Sequence, residues 1–211
     1  MASRDLSWAE DRPLRRAAVV YDTQFEETHA VAEALARGIR RQNVATDVFT
    51  VAEAERAPLD AYSLLALGSP TELLSCTRGM RVFLSHLGRR NLKGRYGFAF
   101  DTKIRHHPGR AAEHIHATLE HFGFRMRVEP ASAFVTVVES PGGHPSPAHE
   151  HPAHALETGM EDAFEKAGAD LVQKIRGETE DVWEVAPTTT TPPTPKTGPE
   201  DPKRPKTRWP Y

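Results

Sequence analysis

The stretch AAVVYDTQFEETHAVAEALARGI, residues 17–39, changes its repeat part-way along. Residues 17–21 form an unbroken apolar run, the pattern of a strand covered on both faces. A polar loop, 22–27, follows. Then Val31, Ala34, Leu35 and Gly38 recur at spacings of three and four, which places them on one buried face of a helix. Strand, polar loop and helix in this order form the opening of a βα unit, and the rest of the chain repeats the arrangement.

Residues 44–51 have the composition of an edge strand, and 62–68 (YSLLALG) that of a buried one. Met80, Phe83, Leu84 and Leu87 share a second helix face. Residues 96–100 (YGFAF) read as a strand; Ala112, Ile115, Leu119 and Phe122 read as a helix that Gly123 closes. Residues 124–128 suit an extra or split strand, and 133–138 (AFVTVV) suit a further one. Thr158, Gly159, Met160 and Glu161 have the spacing of a capping box that would open a last helix through Ala163, Phe164, Ala167 and Leu171. Alternating strands and helices imply right-handed crossovers and a parallel sheet. The expected architecture is a three-layer, doubly wound α/β domain of five parallel strands.

Composition separates this domain from its ends. Eight of the 17 prolines lie in 187–211, a stretch with almost no aliphatic residues, which reads as a disordered tail. That tail carries five Lys or Arg and two acids. Given a net charge of −2 for the whole chain, the remainder carries −5. Residues 1–15 read as a flexible leader, 16–180 as the domain, and 141–155 as a His- and Pro-rich insertion within it. The charged start has no apolar run of a secretory signal, no stretch is apolar enough to span a membrane, and the charge balance provides no footprint for nucleic acid. The expectation is a cytoplasmic protein. A single cysteine, Cys76, excludes an internal disulfide and a cysteine-based zinc cage.

In open α/β sheets, ligands bind beyond the carboxyl ends of the strands, where the strand order reverses. The loops to inspect are therefore 22–28, 69–76 and 101–110. Residues 19–39 resemble the first strand, phosphate loop and first helix of the flavodoxin family. LGSPTELLSCTRGMRVFLSHL, with Gly68, Ser69, Pro70 and Thr71, resembles its second flavin loop; FAFDTKI resembles the end of its fourth strand; ALETGMEDAFEKAGADLVQKI resembles its final helix. The four segments fall in the family's order between residues 17 and 176. The resemblance implies a sheet of order 2-1-3-4-5 and an FMN site. It also implies transfer of one or two electrons to a redox partner protein or small-molecule acceptor, as an electron carrier or a small FMN-dependent reductase. Carried over position by position, the cofactor-binding residues are Thr23, Gln24, Phe25, Glu26, Glu27 and Thr28 around the phosphate. Around the ring they are Ser69, Pro70, Thr71, Glu72, Asp101, Thr102 and Lys103.

The phosphate loop departs from the family pattern. Thr23 and Thr28 keep the outer hydroxyls, but Phe25, Glu26 and Glu27 stand where the family has Thr or Tyr, then Gly and Asn. A glutamate cannot give an anion the close backbone approach that glycine allows. A carboxylate about 4 Å from a phosphate costs on the order of 1 to 4 kcal/mol, depending on solvent exposure. Pointing outward, the same side chains would complement the helix dipole. The ring loops contain no Trp or Tyr, so Leu73, Leu74, His106 or His107 would have to cover a flavin, and Lys103, Arg105 and Arg110 make the rim basic. Such a rim would favour an anionic reduced flavin and raise its potential. The alternative is a flavodoxin-like domain that has lost flavin and serves as an interaction or regulatory module.

Other residues carry weaker signals. Cys76 reads as a packed small residue. His144, His149, His151 and His154 with Glu150 are suitable metal ligands, but no scaffold is evident to hold them, and no metal site is assigned. Asp22 and Asp101 resemble the Mg²⁺-binding aspartates of phosphoryl-transfer sites, but residues 134–140 contain no lysine to complete such a site.

Overall fold

The computed structural model describes residues 14–22, 26–138 and 153–177. Residues 1–13 of the leader, the proline-rich tail, Thr23, Gln24, Phe25, His144, His149, Glu150 and His151 lie outside the described residues; Leu14, expected in the flexible leader, is buried in the core. Within them, the apolar run becomes β1 (Arg16–Tyr21), followed by α1 (Glu26–Arg41) and β2 (Ala45–Thr50). A short helix, α2 (Val51–Ala54), is closed by a reciprocal box in which Thr50 Oγ1 accepts from the Glu53 amide and Glu53 accepts from the Thr50 amide. Next come β3 (Leu64–Glu72), β4 (Ser75–Cys76), α3 (Arg78–Leu87), β5 (Tyr96–Ile104), α4 (Ala111–His121) and β6 (Arg125–Met126). The last described elements are β7 (Ala131–Val138), β8 (Ala153–Leu156) and α5 (Met160–Arg176).

The sheet runs β2-β1-β3-β5-β7-β8. Its first five members are parallel, and counted alone they have the order 2-1-3-4-5. Three features extend the five-stranded expectation. β8 adds an antiparallel edge strand on β7, pairing Val135 with Leu156 and Val137 with His154, so the last part of the supposed insertion is sheet. β6 pairs with the start of β5, which makes the fifth position a split strand. β3 and β5 also continue past their apolar runs, because Ser69 pairs with Asp101 and Pro70 with Thr102.

Both faces of the sheet are covered. On β1, Ala17, Val19 and Tyr21 point toward α1 and α5, where they meet Val31, Leu35, Ile39, Phe164, Leu171 and Val172. Ala18 and Val20 point the other way, into the layer of Met80, Phe83, Leu84, Ile115 and Leu119 from α3 and α4. This period-two alternation within a wholly apolar strand is what two buried faces require.

The α1–α5 contact depends on two glycines. A Cβ on Gly38 would lie 1.8 Å from the Glu165 carbonyl oxygen, and one on Gly168 would lie 2.2 Å from that of Leu35. Arg37 bridges the seam to Glu161 at 3.0 Å and to Glu165 at 3.1 Å, and Arg41 also pairs with Glu165. The last helix starts differently from the expected box. Gly159, at φ +84°, occupies the N-cap position and makes no side-chain cap bond. The chain turns at that glycine, so Thr158 is one residue too early to cap, and Glu161 is used against Arg37. Ala163 is exposed, and Gly168 and Val172 take buried places on the helix face. No described helix is long and apolar enough to cross a membrane.

Candidate functional site

At the carboxyl edge of the sheet, two aspartates each hold a helix N-terminus. Asp22, directly after β1, accepts the Thr77 hydroxyl and, at 3.1 Å, the Met80 amide, so it reinforces the cap that Thr77 provides for α3. Asp101, wholly buried in β5, accepts the Ala112 amide at 3.2 Å in the first turn of α4. It also accepts the Thr71 hydroxyl at 2.8 Å, and Lys103 Nζ stands 3.8 Å away. A carboxylate at a helix N-terminus meets unpaired amides and the positive end of the dipole. Both aspartates therefore have structural occupations. The second carboxylate oxygen of Asp101 is buried with no hydrogen-bond partner among the described residues.

Above them lies a cleft of about 210 Å³. Glu27 and Thr28 enter it from the first turn of α1, Pro70, Thr71 and Glu72 from the end of β3, and Thr102, Lys103 and Ile104 from the end of β5. His107 closes one side, with Val135 and His154 from the β7–β8 edge. Thr28 and Thr102 connect two of these elements: their hydroxyls are 2.8 Å apart and both residues are buried. Lys103 reaches the Gly109 carbonyl at 3.5 Å. The cleft lies over the carboxyl ends of β3 and β5, between the start of α1 and the β7–β8 edge.

No family model matches the sequence, and a search of curated proteins found no match. Solved structures do match it. A flavodoxin from the domain Archaea superposes with a TM-score of 0.59 at 22% identity, over 76% of this chain and 99% of its own. Oxidised Flavodoxin 1 from Bacillus cereus superposes at 0.59 and 17% identity, over 75% of this chain and 97% of its own. The fold is flavodoxin-like. The flavodiiron protein from Giardia intestinalis contains a similar fold, at TM-score 0.58 and 20% identity; this chain spans 36% of that one.

On this flavodoxin-like frame, the structure brings together Glu27, Thr28, Pro70, Thr71, Glu72, Thr102 and Lys103 of the expected site. Glu26 is exposed and outside the lining, so the two loop glutamates face different surroundings. Ser69 is wholly buried; its hydroxyl accepts the Thr77 amide at 3.0 Å and tethers β3 to the start of α3. Ser69 and Asp101 thus stand outside the lining, and Thr23, Gln24 and Phe25 lie outside the described residues. Of the expected basic rim, Arg105 is engaged with Glu157 and stacks over Phe134 at 4.3 Å, while Arg110 is exposed.

Ile104, Val135 and His154 join the lining without having been expected there. Ile104 and Val135 are ordinary strand residues until β5 is seen to run past its apolar stretch. His154 belongs to a histidine-rich run, and only the short alternation of residues 153–156 beside β7 hints that it is on a strand. Cys76 is buried opposite Thr71 in β4, and burial pushes its thiol pKa up, which keeps it protonated and unreactive.

The donor set suits a ligand that is anionic at one end and planar or apolar at the other. Hydroxyls from Thr28, Thr71 and Thr102 and the Lys103 ammonium can serve an anion or a polar ring edge, and Ile104, Val135 and the imidazoles of His107 and His154 offer flat or apolar surface. Glu27 and Glu72 add negative charge to the same lining.

Proposed function

We propose that this protein binds FMN in the cleft and transfers electrons to a redox partner protein or small-molecule acceptor. The observation that supports this best is the joining of the first turn of α1 to the end of β5 through the Thr28–Thr102 hydroxyl pair, within a flavodoxin-like fold and at the carboxyl edge of its sheet. A bound flavin would supply the redox chemistry. Thr28, at the helix N-terminus, would hold its phosphate, with a contribution from the dipole of α1. The edges of β3 and β5 at Pro70, Thr71, Thr102 and Lys103 would border the ring, and Lys103 would favour negative charge on it. The reading is tested by the visible spectrum of the purified protein and by FMN titration followed by fluorescence quenching. A yellow protein, or quenching at micromolar FMN, supports it.

A second reading, a flavin-free interaction module, has its own observation. Glu27, an acid, lines the cleft beside Thr28, where the phosphate would sit. A colourless protein that leaves FMN fluorescence unchanged would decide for that reading.

A further inference from the structure

The amino ends of the strands form the edge of the sheet opposite the cleft, and four segments meet there. The Ser63 amide donates to the Arg16 carbonyl and the Tyr96 amide to the Ser63 carbonyl, each at 2.9 Å, so the starts of β1, β3 and β5 lie side by side. The Arg125 amide donates to the Arg95 carbonyl at 2.7 Å, which adds β6 to the row. The Gly94 amide reaches the Gly123 carbonyl at 2.9 Å, and the Arg90 guanidinium reaches the carbonyls of Glu55 and Ala57 at 2.7 and 3.1 Å. Residues 15–16, 55–63, 88–95 and 122–129 therefore share one edge.

Charge is sorted onto this edge. Its four segments hold nine Lys or Arg and three acids. Asp47 occupies Arg16 at 2.8 Å, and eight cations against three acids remain. At the β6 end, Arg127 and Glu129 share a groove with Glu120 and Lys174, one further acid and one further base, so the excess of positive charge stands. Arg15, Arg56, Arg89, Lys93 and Arg127 are exposed, and none of them forms an ion pair among the described residues. The dipole of a helix C-terminus attracts bases to this edge in any fold of the kind. Arg15, Lys93, Arg125 and Arg127, however, lie outside every helix, and dipole compensation does not account for them. The net charge of −2 for the whole chain conceals this edge, because the balancing acids are elsewhere.

The chemistry of the edge narrows the partner. None of the large apolar side chains exposed among the described residues belongs to these segments, so there is no anchor for the core of a protein interface or for insertion into lipid. Eight of the nine cations are arginines, whose planar fork matches two phosphate oxygens at once. Arg16 lies over the Tyr62 ring at 4.7 Å and Arg125 over the Tyr96 ring at 6.0 Å, so neither ring is free to stack on a base. From β1 through β3 and β5 to β6 is three strand spacings, about 14 Å. That is the rise of roughly four phosphates along one strand of stacked bases.

We propose that the amino edge of the sheet binds the phosphate backbone of a nucleic-acid strand without reading its sequence, with Arg15, Arg89, Lys93 and Arg127 as the principal phosphate contacts. The edge is opposite the cleft, so its binding does not depend on whether FMN binds.

The test follows the fluorescence anisotropy of a labelled thymidylate strand of about thirty nucleotides as the full chain is added, at salt from about 50 to about 200 mM. Micromolar binding at the low end, weakened about tenfold or more at the high end, is the expected result, and a strand of mixed sequence should bind equally well. Arg89→Glu with Lys93→Glu, and separately Arg15→Glu with Arg127→Glu, should each weaken binding about tenfold or more and flatten its salt dependence, at an unchanged melting temperature. Arg78→Glu with Arg81→Glu, a reversal of the same charge at exposed positions of α3, should leave affinity within about twofold. No binding at low salt, amino-edge variants that bind as the parent does, or an equal loss in the α3 pair would overturn the proposal. Polyglutamate bound as tightly as the strand would overturn it in favour of an acidic protein. Capture by vesicles of phosphatidylcholine with phosphatidylglycerol, without strand binding, would overturn it in favour of a membrane surface.

Discussion

The seam between α1 and α5 and the mouth of the cleft are built by opposite rules. At the seam every choice serves packing: Gly38 and Gly168 let the two backbones approach, and Arg37 ties the helices across their exposed edge. At the mouth, choices that cost stability accumulate. Leu73 holds a left-handed backbone in solvent, the acid Glu27 lines a cleft, and Asp101 keeps one buried oxygen without a partner among the described residues. A region whose residues agree with the fold needs no further explanation; one whose residues work against it is where function is to be sought.

The largest effect should come from the seam. Gly168→Ala drives a methyl into the Leu35 carbonyl and is expected to lower unfolding free energy by about 2 to 3 kcal/mol. For a chain of this size that means a fall of roughly 5–10 °C in melting temperature. Chemical denaturation and thermal melts check this, and a variant as stable as the parent would show that the helices are free to separate. Arg37→Ala should cost less, since it loses surface ion pairs only.

Next is the contrast between the two glutamates of the first turn of α1. Glu27 lines the cleft and Glu26 faces solvent. Glu27→Asn should therefore tighten FMN about tenfold, equivalent to roughly 1.4 kcal/mol, whereas Glu26→Asn changes affinity little. Equal effects from the two, measured by fluorescence titration, would show that the field of the whole loop matters and the position of one carboxylate does not.

These contrasts were only partly open to sequence reading. The face of α1 through Val31, Ala34, Leu35 and Gly38 was legible because burial on one side of a helix imposes the three–four spacing directly. The ends of β3 and β5 were not, since Ser69 to Glu72 and Asp101 to Lys103 are polar. They stay in the sheet because Ser69 and Pro70 pair with Asp101 and Thr102, Thr71 and Glu72 with β4, and Lys103 with β7, pairings that no local pattern carries. β8 was hidden for a related reason: four residues give too short an alternation to register, and they follow a proline-rich run. The site was read to the level of its loops. Which side chains face inward depends on strand register, and one residue of shift reverses it. Ser69 and Asp101 therefore joined the candidates beside Thr71 and Thr102, although only the latter two line the cleft.

A smaller effect is expected at the β1–β2 edge. The Tyr62 hydroxyl donates to Asp47 at 2.8 Å, and Arg16 adds a second bond at 2.8 Å; together they hold the Asp47 carboxyl below its ordinary range. A depressed acid stabilises the fold above its unfolded pKa and loses that contribution as pH falls through the folded one. Asp47→Asn should therefore cost under about 1 kcal/mol at neutral pH, since the pair is largely exposed, and the gap should close in strongly acidic solution. Melts across pH check the sign; a gap that widens on acidification would contradict it. Smallest of all is the response of Cys76, at the buried base of the β3–β4 hairpin, whose tip is so exposed. The native protein should react with a thiol reagent only at the rate of unfolding, and rapid labelling would mean that the hairpin opens as a unit.

The central claim is that the cleft joining α1, β3 and β5 is the ligand site of this fold. It is tested most directly by following the backbone amide resonances of the isotope-labelled protein during FMN titration. The account predicts shifts concentrated at Thr28, Thr71, Thr102 and Lys103, with the α1–α5 seam unchanged. Shifts concentrated at His116 and Glu129, which line a separate polar cavity, or no shifts at saturating flavin, would contradict it.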